Sequence, residues 1–289
     1  MTMQLDEIKK IGIVGAGTMG NGIAHVSAQS GYNVILVDTT REFLDKALKT
    51  ISTNLDRMVK KETITGQKKN ETLARIRTST DLGDLKSAQL VIEAIYENLD
   101  AKTSIFKQLD LWCSHDTILA TNTSSLPITQ IAGCTKRADR VIGMHFMNPV
   151  PMMQLVELIR GIATSDDTFQ LTKGLSLEMG KTPVEVNDYP GFIANRILMP
   201  MINEACYALM EGVASAQDID TVMKLGMNHP MGPLALADFI GLDVCHAIMQ
   251  TLYTGFSDSK YRPCPLLWKM VQAGYLGRKA GRGFFVYDK

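Results

Sequence analysis

The hexapeptide Gly15-Ala16-Gly17-Thr18-Met19-Gly20 constrains this chain more than any other stretch, because three glycines at this spacing call for a backbone that few settings use. They follow the apolar run Lys10-Ile11-Gly12-Ile13-Val14 directly and precede a helix-compatible stretch, after which residues 33–37 form a second apolar run. Strand, glycine turn, helix and strand make a βαβ unit. In such a unit the first glycine permits a tight turn, the second lets a pyrophosphate approach the backbone, and the third allows close helix packing. The helix start, with Thr18 and Met19 in it, offers N–H donors and a favourable dipole to an anion. A glycine-rich turn without a ligand is the plain alternative. Asp38 weighs against it, since it closes the second strand at the distance where a carboxylate takes the ribose hydroxyls of a dinucleotide. A carboxylate there repels an extra ribose phosphate, so the expected cofactor is NAD rather than NADP. Arg41 is the counterweight, either as a guanidinium that recruits such a phosphate or as a solvated first-turn residue.

Further short apolar runs at residues 90–92, 117–120, 141–144 and 155–159 alternate with amphipathic segments suited to crossover helices. The expected fold class is α/β, an N-terminal Rossmann-type doubly wound sheet followed by an all-helical C-terminal domain. A last strand-like run beginning at Lys181 ends in Tyr189-Pro190-Gly191, where helical periodicity takes over. The boundary is placed near Asn187, giving a cofactor-binding domain over 1–187 and a helical substrate and dimerisation domain over 188–289. A chain of 289 residues suits two domains serving one site. Ile193, Ile197, Met201 and Ala205 recur every four residues beside a second stripe of Ala194, Leu198, Ile202 and Cys206. A stripe that wide suits a helix covered by another layer or a second subunit. Pro200 is expected to kink or break that helix.

Lys plus Arg and Asp plus Glu both total 30, which gives no reason to expect nucleic acid or an anionic membrane as partner. The apolar stretch 192–210 contains Asn195, Arg196, Asn203 and Glu204 and fails as a membrane span. The opening residues run straight into a strand without a targeting pattern. Five scattered cysteines form no CxxC pair, so neither a disulfide framework nor a zinc site is expected, and no histidine has metal-ligand spacing with a partner. A soluble, cytoplasmic protein with reduced thiols and no metal is the expectation.

The segment His145-Phe146-Met147-Asn148-Pro149-Val150-Pro151-Met152-Met153-Gln154-Leu155-Val156-Glu157 closely resembles the signature of the L-3-hydroxyacyl-CoA dehydrogenase family. The likeness extends to Asn122-Thr123-Ser124-Ser125-Leu126, Gly191-Phe192-Ile193-Ala194-Asn195-Arg196, His229-Pro230-Met231-Gly232-Pro233 and Gly281-Arg282-Gly283-Phe284-Phe285, and so spans essentially the whole chain. Within the family it looks most like the bacterial 3-hydroxybutyryl-CoA enzymes of butyrate fermentation. The resemblance implies reversible hydride transfer between NAD(H) and the 3-position of a short acyl-CoA, in a homodimer or higher homo-oligomer. It implies that His145 is the general base in oxidation and the acid in reduction, a task that suits imidazole near neutrality. It pairs Glu157 with that ring, sets Ser124 on the substrate oxygen, and brings Asn195 as a second polar contact. Asn54 and Lys61 correspond to coenzyme A contacts. Glu97, Lys102 and Lys279 correspond to residues near the nicotinamide end of the cofactor.

Without the family, each residue has a plainer reading beside the functional one. A single histidine is more often a satisfied packing residue than a catalyst, although His145 ends a strand where α/β sheets gather ligands. Glu157 reads equally as a strand-edge charge in water, Ser124 as a helix cap before Leu126-Pro127, and Asn195 as an early polar helix residue. Lys60, Lys61, Lys68, Lys69, Arg75 and Arg77 form a local basic concentration, suited to the phosphates of coenzyme A or to a solvated helix face. Glu97, Lys102 and Lys279 pass on charge alone as solvated surface. The closing Phe284-Phe285-Val286-Tyr287 returns as an edge strand or trails as a tail. A longer or carboxylated acyl group, or a non-catalytic cofactor-binding protein of the lens-crystallin kind, is the alternative to the short-chain enzyme.

Overall fold

The structure, a computed structural model, describes residues 3–287. The chain divides into two compact units, Met1–Asp188 and Tyr189–Lys289. In the first, β1 (Lys10–Val14), α1 (Thr18–Gln29), β2 (Asn33–Val37), α2 (Arg41–Lys60), α3 (Gly66–Ala74) and β3 (Ile76–Ser79) are followed by β4 (Leu90–Glu93), α4 (Leu99–Trp112), β5 (Ile118–Thr121) and α5 (Ile128–Ala132). The unit closes with β6 (Val141–Phe146), β7 (Leu155–Arg160), α6 (Asp166–Glu178) and β8 (Thr182–Asn187). The eight strands form one sheet in the order β3-β2-β1-β4-β5-β6-β7-β8. Every neighbouring pair is parallel except β6 with β7.

The central strands are continuous apolar runs because helices cover both faces of a parallel sheet. Ile11, Ile13, Val34, Leu36, Leu90, Ile92 and Ile118 are fully buried or nearly so. The helix α2 turns Leu44, Ala47, Ile51 and Leu55 onto that core at three- and four-residue spacing, and its N-cap Thr40 accepts from the Phe43 N–H. Burial of each such Leu or Ile contributes about 1.5–3 kcal/mol. The strand β3 has no such run: Ile-Arg-Thr-Ser at a sheet edge keeps Arg77 exposed, which guards an edge from further pairing. Arg75 and Arg77, grouped above with the basic concentration, lie at this strand, and Arg77 pairs with Asp84 while Lys69 pairs with Asp56. The basic segment is therefore partly neutralised by its own neighbours.

The second unit contains α7 (Ala194–Met210), α8 (Ala216–Leu225), α9 (Pro233–Ile240), α10 (Leu242–Phe256) and α11 (Pro265–Gln272) around Met199, Ile202, Cys206, Leu234, Cys245, Leu252 and Leu267. The helix α7 continues through Pro200 without a break. Its buried face is Asn195, Met199, Ile202, Asn203 and Cys206, held by the neighbouring helices, and that packing outweighs the lost hydrogen bond. Of the Ile193, Ile197, Met201 and Ala205 stripe Ala205 joins this core, while Ile193 is 44% and Ile197 68% exposed. The terminal aromatic run is a tail with two isolated bridges, Gly277 to Arg282 and Arg282 to Val286. Buried Asp238 anchors it by accepting from the N–H groups of Phe284 and Phe285 and from the Tyr287 hydroxyl. All five cysteines are free thiols. Among the described residues no single helix is long and apolar enough to cross a membrane, and no group of three or more His, Cys, Asp or Glu side chains is placed to hold a metal.

His25 on α1 is fully buried, and neither ring nitrogen has a hydrogen-bond partner. Burial pushes its pKa down from 6.5 to about 4, with Lys181 adding to the shift and Gln29 opposing it without a bond of acceptable geometry. The neutral ring is thus the native form, and its contribution is intact above the unfolded value of 6.5 and lost as pH falls toward 4. Unfolding free energy is expected to drop by about 3 kcal/mol across that window on account of this residue. Denaturant titrations at several pH values check this, since His25→Leu should flatten the acid slope; equal slopes in the two proteins count against it.

Candidate active site

At the carboxyl end of β1 the chain turns at Gly15, whose φ of +103° lies in the left-handed region and whose added Cβ would meet the Ala94 carbonyl oxygen at 2.6 Å. A Cβ on Gly20 would come within 1.7 Å of the Gly15 carbonyl oxygen, so α1 packs directly on the turn. Gly17 differs, because a Cβ there meets nothing within 4 Å. Its missing side chain leaves room in the cleft, as close approach of a phosphate requires. The cleft has a volume of about 630 Å³ and is lined by Gly15, Gly17, Asp38, Thr39, Phe43 and Tyr96 among others.

Asp38 does more than the sequence indicates. Its Oδ2 accepts from the Ala16 N–H at 2.6 Å, and its Oδ1 accepts from the N–H and hydroxyl of Thr39. The carboxylate thereby clamps the glycine turn to β2 and retains lone pairs for ribose hydroxyls. Arg41 is exposed as the first residue of α2. These residues fit a dinucleotide without a ribose phosphate.

Across the antiparallel pair β6 and β7, His145 and Glu157 are register partners. Side chains opposite one another in such a pair project from the same face, and here Nδ1 of His145 donates to Oε2 of Glu157 at 2.7 Å. Glu157 is 2% exposed, so the reading of a strand-edge charge in water is excluded. The bond fixes the ring orientation, selects the tautomer protonated on Nδ1, and offsets the positive charge when Nε2 takes a proton. The connection between these strands is pinned by buried Lys181, whose Nζ donates to the carbonyls of Val150 and Met153. Burial lowers the Lys181 pKa. Nothing in the sequence marked Lys181 for this role.

Ser124 lies in the loop after β5, the strand beside β6. Asn122 ties the two strand ends together, its Oδ1 accepting from the Phe146 N–H at 2.9 Å. Ser124 does not cap α5; Asp188 does so by accepting from the N–H groups of Ile128 and Thr129. Glu97 Oε1 accepts from the N–H groups of Ser124 and Ser125 and from the Thr123 hydroxyl. Lys102, in the first turn of α4, is 1% exposed and lies 2.7 Å from Glu93 and 3.4 Å from Glu97. The solvated-surface reading of Lys102 is therefore wrong, and Glu93, which the sequence did not single out, is its closest partner. Asn54 stands on α2, accepting from Arg57, and exposed Lys61 ends that helix. In the helical unit Asn195 is buried in the first turn of α7, and Lys279 forms an ion pair with Asp243 at 2.5 Å.

The chain matches two family profiles end to end: "3-hydroxyacyl-CoA dehydrogenase, NAD binding domain" over residues 10–189 and "3-hydroxyacyl-CoA dehydrogenase, C-terminal domain" over 191–287. This chain belongs to the 3-hydroxyacyl-CoA dehydrogenase family. The dehydrogenase is 56% identical over 283 residues to a probable 3-hydroxybutyryl-CoA dehydrogenase of Bacillus subtilis, covering 98% of this chain and 99% of that protein. It is 44% identical to the mitochondrial hydroxyacyl-coenzyme A dehydrogenase of Homo sapiens, covering 97% and 91%. The crystal structure of (S)-3-hydroxybutyryl-CoA dehydrogenase from Ralstonia eutropha superposes with a TM-score of 0.96 at 56% identity, covering 98% of this chain and 100% of that one.

The glycine geometry separates two substitutions in the dehydrogenase. Gly17→Ala should leave the Tm within about 2 °C, as a surface change does, while raising the Kd for NADH at least tenfold. Gly20→Ala should lower the Tm and binding together. Thermal melts with fluorescence titration of NADH check both, and unchanged NADH affinity in Gly17→Ala removes the glycine turn from the cofactor site.

Proposed function

We propose that this dehydrogenase interconverts acetoacetyl-CoA and (S)-3-hydroxybutyryl-CoA with NAD(H) in the cytoplasm, in butyrate fermentation or fatty-acid metabolism. The observation that carries this reading is the buried His145–Glu157 pair at the carboxyl end of the sheet that also bears the glycine turn. The names of the Bacillus subtilis and Ralstonia eutropha relatives, at 56% identity, support the four-carbon substrate. In the oxidative direction His145 Nε2 takes the hydroxyl proton as the C3–H bond breaks, and in reduction it returns that proton to the carbonyl oxygen. A nicotinamide dinucleotide held by the glycine turn and Asp38 would supply the hydride acceptor for oxidation and the hydride donor for reduction. Glu157 holds the ring and offsets the imidazolium charge, and the Ser124 hydroxyl donates to the substrate oxygen. Asn195 adds a polar substrate contact, Glu97, Lys102 and Lys279 serve the cofactor, and Asn54 and Lys61 serve coenzyme A; these roles rest on the family resemblance. A homodimer or higher homo-oligomer through the helical unit is supported by exposed apolar side chains on α7 and α8, among them Ile197 and Leu225. The free, scattered thiols support a reducing compartment.

Loss of NADH absorbance should be fastest with acetoacetyl-CoA, slower with longer or carboxylated 3-ketoacyl-CoA substrates, and slower again with NADPH. NADH binding without turnover of any acyl-CoA would mark a non-catalytic protein instead. His145→Gln is expected to lower kcat by roughly 10²- to 10⁴-fold with NADH affinity unchanged, and near-normal turnover removes His145 from the chemistry. Lys61→Ala should raise the KM for acetoacetyl-CoA while leaving the rate on a pantetheine-truncated substrate alone; an unchanged KM rejects the docking role.

A further inference from the structure

The carboxyl ends of β4 and β5 hold a buried polar relay centred on Glu93. Its Oε1 accepts from Lys102 Nζ and from the Ile95 N–H, each at 2.7 Å, and its Oε2 accepts from the Thr121 hydroxyl at 2.7 Å. Thr121 Oγ1 in turn accepts from the Thr123 N–H at 3.2 Å. Lys102 Nζ also donates to the Ile95 carbonyl and lies 3.4 Å from Glu97 Oε2. The other Glu97 oxygen receives the Thr123 hydroxyl at 2.5 Å, the Ser124 N–H at 3.0 Å and hydroxyl at 3.4 Å, and the Ser125 N–H at 3.2 Å. Two paths therefore lead from Glu93 to Ser124, one through Thr121 and one through Lys102 and Glu97.

From this geometry we infer that Glu93 is a positioning residue for the reaction, fixing the Ser124 hydroxyl against the substrate oxygen through both paths. The inference rests on the proposed role of Ser124. A fully buried ion pair is no better for stability than packed apolar side chains of the same size, so stability alone does not account for Glu93 and Lys102. Their bonds end instead on the two loops that carry Glu97 and Ser124. With both carboxylate oxygens held, Glu93 cannot rotate, and the loops 94–98 and 122–125 are coupled to the sheet at one point. Removing its charge leaves Lys102 buried with Glu97 as its remaining carboxylate among the described residues. Glu97 is then drawn toward the lysine and away from the Ser124 and Ser125 amides, and the serine hydroxyl loses its aim.

The test is steady-state kinetics on Glu93→Gln, Ser124→Ala and the double variant, with Thr121→Val and its Ser124→Ala double as a second cycle. Glu93→Gln is expected to lower kcat about ten- to a hundredfold, the size of effect a misplaced reacting group gives. In the Ser124→Ala background the same substitution should cost less than about threefold, since residues acting through one another are non-additive. Losses that multiply independently in the double variant overturn the inference, as does wild-type kcat in Glu93→Gln. Should Glu93→Gln fail to fold, Thr121→Val keeps the ion pair and cuts one path, and independent losses in that cycle overturn it equally. A wild-type enzyme inert on acyl-CoA, or Ser124→Ala with full activity, would instead refute the proposed chemistry or the serine's part in it, and this inference with them.

Discussion

The candidate site depends on one strand pairing, the antiparallel register of β6 against β7. The six strands β3-β2-β1-β4-β5-β6 run parallel and present their carboxyl ends along one edge, and a β7 running with them would bring its last residues to the level of His145. Because β7 returns antiparallel, its third residue, Glu157, meets the next-to-last residue of β6. A slip of one residue would turn Glu157 to the opposite face and leave the imidazole without its carboxylate. Two features hold the register. Lys181 fixes the connecting loop by two carbonyls, and β8 pairs along the far side of β7, placing Val184 opposite Glu157 in the ladder.

Strand order does the rest. β1, β4, β5 and β6 are consecutive in the sheet, so their carboxyl ends set out the glycine turn, Glu93, the Ser124 loop and His145 side by side. The chain reverses its progression at β1, which sits between β2 and β4, and that switch point opens the cleft where an α/β sheet takes its ligand. Asp38 at the end of β2 closes the cleft from the other side and holds the turn through Ala16. The glycine-turn cleft and the His145–Glu157 pair are thus parts of one sheet edge.

The glycine turn and the central strands were legible because each has a local cause: glycines where a side chain would collide, and apolar runs where helices cover both faces. The family likeness carried His145, Glu157 and Ser124, which composition and spacing alone left ambiguous. What escaped is non-local. The strand β3 hides because an exposed edge rewards polar residues over apolar ones. In α7 two stripes were equally apolar, and only the positions of neighbouring helices decide that Ile202 is buried and Ile197 exposed. Lys102 and Glu93, nine positions apart, look like ordinary charges until the turn into α4 folds one over the other. Asp38 stood out as a cofactor candidate but not for its grip on the backbone, which requires two strands to be brought together first.

Among the described residues, the first unit buries two ion pairs made by Lys or Arg, and they differ in what their remaining bonds hold. Arg137 is paired with Asp110 at 2.7 Å. Its remaining donors go to the carbonyls of Asp110, Cys113 and Ser114 at the end of α4, where a helix leaves acceptors unsatisfied, so its burial answers a local need. It stands ahead of β6 and binds the segment ahead of β5, at the amino edge of the sheet, where α/β folds do not place ligands. The Glu93–Lys102 pair caps no such helix end. It sits at the opposite edge and its bonds run into the loop of Ser124, so what its desolvation maintains is the placement of that loop rather than the integrity of a helix.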